Sequence, residues 1–233
     1  MRFKFSTWTI ILLVPNVLLF LAWLLLNPVS TRDLLLFGVL SKSFVAAGFP
    51  YVLITSLFVH SNIIHFMFNI IAFASLARSV YEYYEDKVTL ITYILGGLAG
   101  SLLTVLVINF QGSDFTSLGA SSGIFALAGL LIGGTLKKSR YGTNLPFQLR
   151  DIAPSILLAL FIGFLPGVPI NNYAHIGGLI AGILLGLTFS STITYKSNRD
   201  KVIKKVFFYI SLAIFIISFV LLIFNGIRFI TGY

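Results

Sequence analysis

Residues 173–189 read Tyr-Ala-His-Ile-Gly-Gly-Leu-Ile-Ala-Gly-Ile-Leu-Leu-Gly-Leu-Thr-Phe. Apart from the Tyr173 phenol and the imidazole near its start, the run carries no ionisable group, so it suits a lipid-embedded helix. Gly178, Gly182 and Gly186 recur every fourth residue, with Ala174 one turn earlier. On a helix that spacing puts all four on one face, a smooth stripe along which another backbone can come close. A second run, from near residue 118 to near 136, carries Gly119, Gly123, Gly129 and Gly133. Helices pair in lipid through close van der Waals contact rather than hydrophobic gain, so these two are expected to touch.

Outward from this pair the chain has the same character. Its 233 residues are 58% hydrophobic and 10% charged, with a mean hydropathy of +0.99, a balance that leaves too little polar surface to cover a water-soluble domain. A membrane-spanning helix needs roughly 20 apolar residues. Apolar runs occur at 8–26, 53–76, 88–108, near 118 to near 136, 152–165, 173–189 and 202–224. Read as crossings, they predict an all-α polytopic membrane protein: a six-helix transmembrane domain over 1–192, then a basic loop and one additional C-terminal transmembrane helix over 193–233. The apolar stretch 34–49 is broken by Gly38, Lys42 and Gly48, with Pro50 just after it, and is expected to lie along the bilayer surface. The first run follows Arg2 and Lys4 but shows no small-residue cleavage site, so it is read as a retained helix.

The net charge of +9 is explained by topology rather than by nucleic acid. With a cytoplasmic N-terminus, the inner segments hold Arg2, Lys4, Arg78, Lys87, Lys137, Lys138, Arg140, Arg150, Lys196, Arg199, Lys201, Lys204 and Lys205, and the outer side holds Arg32, Lys42 and Arg228. That asymmetry is a positive-inside bias. The expectation is a multi-pass protein of the cell membrane. Cysteine is absent, which excludes disulfides and thiolate chemistry.

Polar groups within the spans point to function, because each is costly in lipid unless it finds a partner. His60, His65 and His175, all the histidines of the chain, lie in or at the edges of predicted spans. Helix parity brings the His65 region, Ser121 and His175 to one depth, a turn or two below the outer surface. His65 and Asn69 share a helical face. His60, five residues before His65, points about 140° away on the same helix, which argues against a metal site, as does the lack of a carboxylate in this layer. Serine attack on a peptide bond needs a base in contact with the hydroxyl and donors where the oxyanion forms. Ser121 and His175 suit the first requirement, with Ser122 equally eligible on pattern. The Ser121 backbone N–H, His65 and Asn69 suit the second, and Gly119 gives the helix start its freedom. Asp114 and Asp33 are poorly placed to complete a triad, so a serine–histidine dyad is preferred. Serines at helix starts are ordinarily caps, and the histidines alone could be structural contacts; convergence on one layer is what favours chemistry.

Three segments resemble signatures of the rhomboid family: 60–69 (His-Ser-Asn-Ile-Ile-His-Phe-Met-Phe-Asn), 119–125 (Gly-Ala-Ser-Ser-Gly-Ile-Phe) and 174–178 (Ala-His-Ile-Gly-Gly) with Gly182. The resemblance runs from about residue 50 to 189. It implies an intramembrane serine protease that cleaves transmembrane protein substrates near their outer-side ends, needing neither cofactor nor metal. By the same resemblance Ser121 rather than Ser122 is the nucleophile and His175 its base. His65 and Asn69 take oxyanion-stabilising positions, and His60 a supporting one. Phe125 stacks on the catalytic imidazole, Gly178 and Gly182 pack the sixth helix on the fourth, and the last helix matches a six-plus-one form. One departure is Tyr51-Val52 where the family often has Trp-Arg, which removes an arginine that would tie down the first outer loop. A non-catalytic membrane chaperone that holds client helices in the same cavity is the alternative. A transporter is disfavoured, because the inner halves of the spans lack ionisable groups for a through-going path.

Overall fold

The computed structural model describes residues 6–112, 115–137, 145, 148, 150, 152–165, 170–192 and 197–232. Among these the regular structure is helical: α1 (Thr7–Leu26), α2 (Thr31–Leu36), α3 (Lys42–Ala46), α4 (Val52–Thr55), α5 (Ile63–Tyr83), α6 (Lys87–Gln111), α7 (Ser121–Leu136), α8 (Ala153–Gly163), α9 (Asn172–Thr188) and α10 (Asn198–Thr231). A 3₁₀ turn, Ser56–Phe58, follows α4. Arg2, Lys4, Asp114, Lys138, Arg140 and Lys196, which bear on topology and on the triad, lie outside the described residues.

The expected bundle of six spans plus one is not what the structure contains. Four described helices are long and apolar enough to cross a bilayer: α1, α5, α6 and α10. This makes the chain a multi-pass integral membrane protein. The three others fall short, with 16 residues in α7, 11 in α8 and 17 in α9. At about 1.5 Å per residue, even α9 covers less than the roughly 30 Å of a hydrocarbon core. Counting apolar residues overshoots because several belong to turns. Leu118 precedes Gly119, whose φ of +121° is a conformation no helix contains, so α7 starts only at Ser121. Phe189 and the pair Phe164 and Leu165 likewise lie beyond their helix ends.

Two further boundaries move. The run 53–76 is not one helix: α4 and the 3₁₀ turn end at Phe58, and the chain turns again at Asn62, whose side chain accepts the His65 backbone N–H at 2.8 Å and caps α5. In contrast, α10 extends the run 202–224 at both ends to 34 residues, starting at a Ser197 cap.

The core follows the glycine pattern. Helices α7 and α9 form the most extensive pairing in the molecule, with α6 packed against both. A Cβ on Gly178 would lie 2.1 Å from the Ser122 carbonyl oxygen, one on Gly186 2.3 Å from that of Leu130, and, from the other side, one on Gly133 2.2 Å from that of Ile183. The two backbones therefore touch, and any side chain on the stripe would separate them.

The segment between α1 and α5 is fastened without the missing arginine. Ser30 and Asp33 form a reciprocal capping box at the start of α2. The Thr55 hydroxyl donates to the Gly38 carbonyl at 2.9 Å, and Gly38 adopts a φ of +75°. Tyr51 and Val52, at the positions of the departure, are buried with Leu35, Leu40, Phe44 and Leu222 of α10. The Arg32 guanidinium donates to the Phe229 carbonyl at the far end of α10. At the opposite end of α10, Lys204 is fully buried, ion-paired with Asp200 at 2.8 Å and donating to the Ser190 carbonyl.

Candidate active site

Three helix starts meet at one end of the bundle: those of α5, α7 and α9. Helix α9 begins there because Asn171 caps it, its side-chain oxygen accepting the Ala174 N–H at 3.1 Å. His175 thus stands on the first turn and is 6% exposed. Helix α7 has no side-chain cap; the turn leading into it is held by one backbone bond and one contact to a histidine ring. The Gly119 N–H donates to the Ser56 carbonyl at 2.9 Å, and the Ala120 N–H reaches His60 Nε2 at 3.4 Å.

Ser121, the first residue of α7, places its Oγ 2.9 Å from His175 Nε2. Ser122 is buried, with its carbonyl turned to Gly178, so the two adjacent serines that sequence pattern leaves equivalent are distinguished by where they face. The Phe125 ring, one turn along α7, lies parallel to the imidazole at 7°, with centroids 4.2 Å apart. His175 Nδ1 is buried and has no hydrogen-bond partner among the described residues. Among the described residues, ring stacking and packing rather than a carboxylate orient the imidazole.

His65 edges the other side. A Cβ on Gly119 would lie 2.7 Å from both Nε2 and Cε1 of His65, so the ring rests against the turn that carries Ser121. Asn69 is buried one turn further along α5 and donates to the His65 carbonyl at 2.8 Å. His60 is not on the helix with His65. It lies in the turn before α5, fully buried, which cancels the helical-wheel argument that the two face apart: their ring centroids are 5.1 Å apart.

The amides of Ser121, Ser122 and Gly123 precede the first intrahelical bond of α7, which runs from the Ile124 N–H to the Ala120 carbonyl. As the opening N–H groups of a helix they have no intrahelical acceptor and sit at its positive end. A hydroxyl in contact with an imidazole, beside such amides, has the components for acyl transfer.

Several residues that shape this site carry no signal as candidates in the sequence. Asn171 donates to Thr104 Oγ1 at 2.8 Å and to Ser117 Oγ at 2.9 Å. Tyr93 packs its ring where a Gly123 side chain would stand and donates its hydroxyl to the Leu57 carbonyl at 2.9 Å. Asn171 could have been singled out as an N-cap before an apolar run; the others depend on tertiary contacts.

A sequence model described as the rhomboid domain matches residues 48–192, the segment that holds all of these side chains. The chain is 28% identical over 213 residues to RHOMBOID-like protein 5 of Arabidopsis thaliana, covering 84% of this chain and 67% of that protein. It is 31% identical over 156 residues to the Rhomboid protease GluP of Bacillus subtilis (strain 168), covering 66% of this chain and 29% of that one. RHOMBOID-like protein 6, mitochondrial, of Arabidopsis thaliana is 34% identical over 153 residues, 62% of this chain and 45% of that protein. The chain thus spans two thirds or less of the length of these relatives. With more than half of its residues matched by the domain, this chain belongs to the rhomboid family.

Proposed function

We propose that the protein is an intramembrane serine endopeptidase in which Ser121 is the nucleophile and His175 the general base. The observation that carries this reading is the 2.9 Å contact between Ser121 Oγ and His175 Nε2, within hydrogen-bond reach of proton transfer. The relative named Rhomboid protease GluP supports the same reaction class.

With Nδ1 protonated, Nε2 accepts the Ser121 proton as Oγ bonds to the scissile carbonyl carbon. The tetrahedral oxyanion meets the opening amides of α7, with His65 and Asn69 as further donors. Collapse breaks the C–N bond, and the amine leaves with the proton from Nε2. Water then adds to the acyl-enzyme, giving one proton to Nε2, and collapse returns that proton to Ser121 Oγ and releases the new carboxylic acid, which loses its proton to water. Phe125 keeps the ring in plane, and Gly178 and Gly182 hold α9 at the distance this requires.

The substrates in this reading are transmembrane proteins, cut near the membrane surface on the side where α5, α7 and α9 begin. In this reading that is the outer side, with the N-terminus cytoplasmic, which the asymmetry of basic residues along the sequence supports. The chemistry then belongs to residues 1–192, with 193–233 appended.

An active-site-directed fluorophosphonate tests the assignment. The purified protein is incubated with the probe and digested, and the modified residue is located by mass spectrometry. Modification of Ser121 that disappears in His175→Ala supports the dyad. Modification of Ser122 instead, or undiminished labelling without His175, contradicts it. A client-holding protein with no acyl-transfer chemistry leaves both serines unlabelled.

A further inference from the structure

We propose that Asn171 is a positioning residue of this site, whose one side chain sets the relation between Ser121 and His175. The inference rests on the serine-protease reading above. Asn171 stands four residues before His175, and Ser117 four residues before Ser121. The two are joined directly: Asn171 Nδ2 donates to Ser117 Oγ at 2.9 Å. Its other donated bond goes to Thr104 Oγ1 on α6 at 2.8 Å, and Oδ1 accepts the Ala174 N–H at 3.1 Å. Both hydrogens and the oxygen of the amide are thus engaged, and the backbone carbonyl of the same residue accepts the His175 N–H at 3.3 Å.

Each partner is itself fixed. Ser117 pairs with Leu40 through two backbone bonds, 2.8 and 3.0 Å. Thr104 donates to the Gly100 carbonyl at 2.9 Å, and a Cβ on Gly100 would meet both the Ala174 carbonyl oxygen, at 2.4 Å, and Ser122 Cβ, at 2.8 Å. Asn171 therefore ties together the segment leading to the nucleophile, the first turn of the base and the helix packed behind both. The α7–α9 glycine contact fixes how close the two helices lie. The segment before Ser121 is tied to the rest of the fold by the Gly119–Ser56 and Ser117–Leu40 backbone bonds, neither of which reaches α9. A side chain that caps α9 and also bonds to Ser117 adds a direct link between that segment and the first turn of α9.

Two variants separate this role from helix capping. Asn171→Ser keeps a capping oxygen but is too short to reach Ser117 and Thr104. Ser117→Ala leaves the cap untouched and removes one acceptor. The full chain in detergent micelles is assayed for its rate of fluorophosphonate labelling at Ser121, for kcat and KM on a single-span substrate, and for its unfolding temperature. Each variant is expected to lose about 10-fold or more in labelling rate and in kcat with KM unchanged, because small misplacements of a reacting pair are costly. The double variant is expected to lose no more than Asn171→Ser alone, the non-additivity of residues that act through one contact. Wild-type labelling with an undiminished rate in Asn171→Ser overturns this inference alone, as do losses that add in the double variant or that track a lowered unfolding temperature. A wild type that is not labelled at all overturns the serine-protease reading, and this inference with it.

Discussion

Gly182 of α9 and Ala126 of α7 meet backbone to backbone: a Cβ on Gly182 would stand 2.1 Å from the Ala126 carbonyl oxygen and 2.8 Å from its Cα. No side-chain rotation relieves a clash with main chain, so the helices would have to separate, and Ser121 and His175 would part with them.

Gly182→Val is therefore expected to destabilise the protein by at least the roughly 1–3 kcal/mol typical of overpacking and to abolish Ser121 labelling. Gly226→Ala on α10, where an added Cβ meets nothing within 4 Å, is expected to leave both unchanged or to raise stability slightly through helix propensity. Thermal unfolding in micelles compares the two. Equal effects would show that the stripe is not a packing surface.

Gly119→Ala is expected to be severe for two reasons. Its φ of +121° strains any residue with a Cβ, and that Cβ would stand 2.7 Å from the His65 ring. Labelling should fall by about 100-fold or more, the scale on which misplacement of a reacting group tells. A variant that labels at the wild-type rate would mean that the turn does not position Ser121.

What can be read from the residues follows from what each signal encodes. Glycines spaced by four report a face, and the α7–α9 contact follows from Gly178, Gly182 and Gly186 because a face without side chains has little use in lipid other than close packing. The depth shared by Ser121 and His175 follows from helix direction. Helix ends are less legible, since hydropathy does not distinguish Leu118 in a turn from Leu127 in a helix; seven apolar runs therefore read as crossings where four of the described helices have the required length. His60 is misplaced by sequence pattern for the same reason, the run 53–76 hiding a turn before α5. Asn171, Ser117 and Thr104 are distant in sequence, and nothing local announces that they touch.

Phe125 stacks on His175 with a centroid separation of 4.2 Å. Aromatic stacking contributes about 0.5–1.5 kcal/mol beyond burial, so Phe125→Leu should lower kcat by roughly 2- to 10-fold, while Phe125→Tyr should keep most of the rate. Steady-state kinetics on one substrate decides. A leucine variant as fast as wild type would place the orientation of the imidazole elsewhere.

Lys204 and Asp200 form a buried pair, 2.8 Å apart, at the end of α10 remote from Ser121. Removing one member of a buried pair costs about 3–5 kcal/mol, so Lys204→Met should lower the unfolding temperature strongly. The double variant Lys204→Met with Asp200→Asn should recover part of that loss. Protein that remains folded should still label at Ser121. A folded Lys204→Met protein that does not label would show that the distant pair acts on the site.

The central claim is that Ser121 and His175 together hydrolyse peptide bonds within the membrane. The most direct measurement reconstitutes the purified protein in liposomes with a single-span substrate protein and follows the cleavage products by mass spectrometry. One dominant cut is expected near a membrane-surface end of the substrate helix, with no product from Ser121→Ala or His175→Ala proteins that fold like wild type. Undiminished cleavage by either variant would contradict it, as would an intact substrate with the wild-type protein.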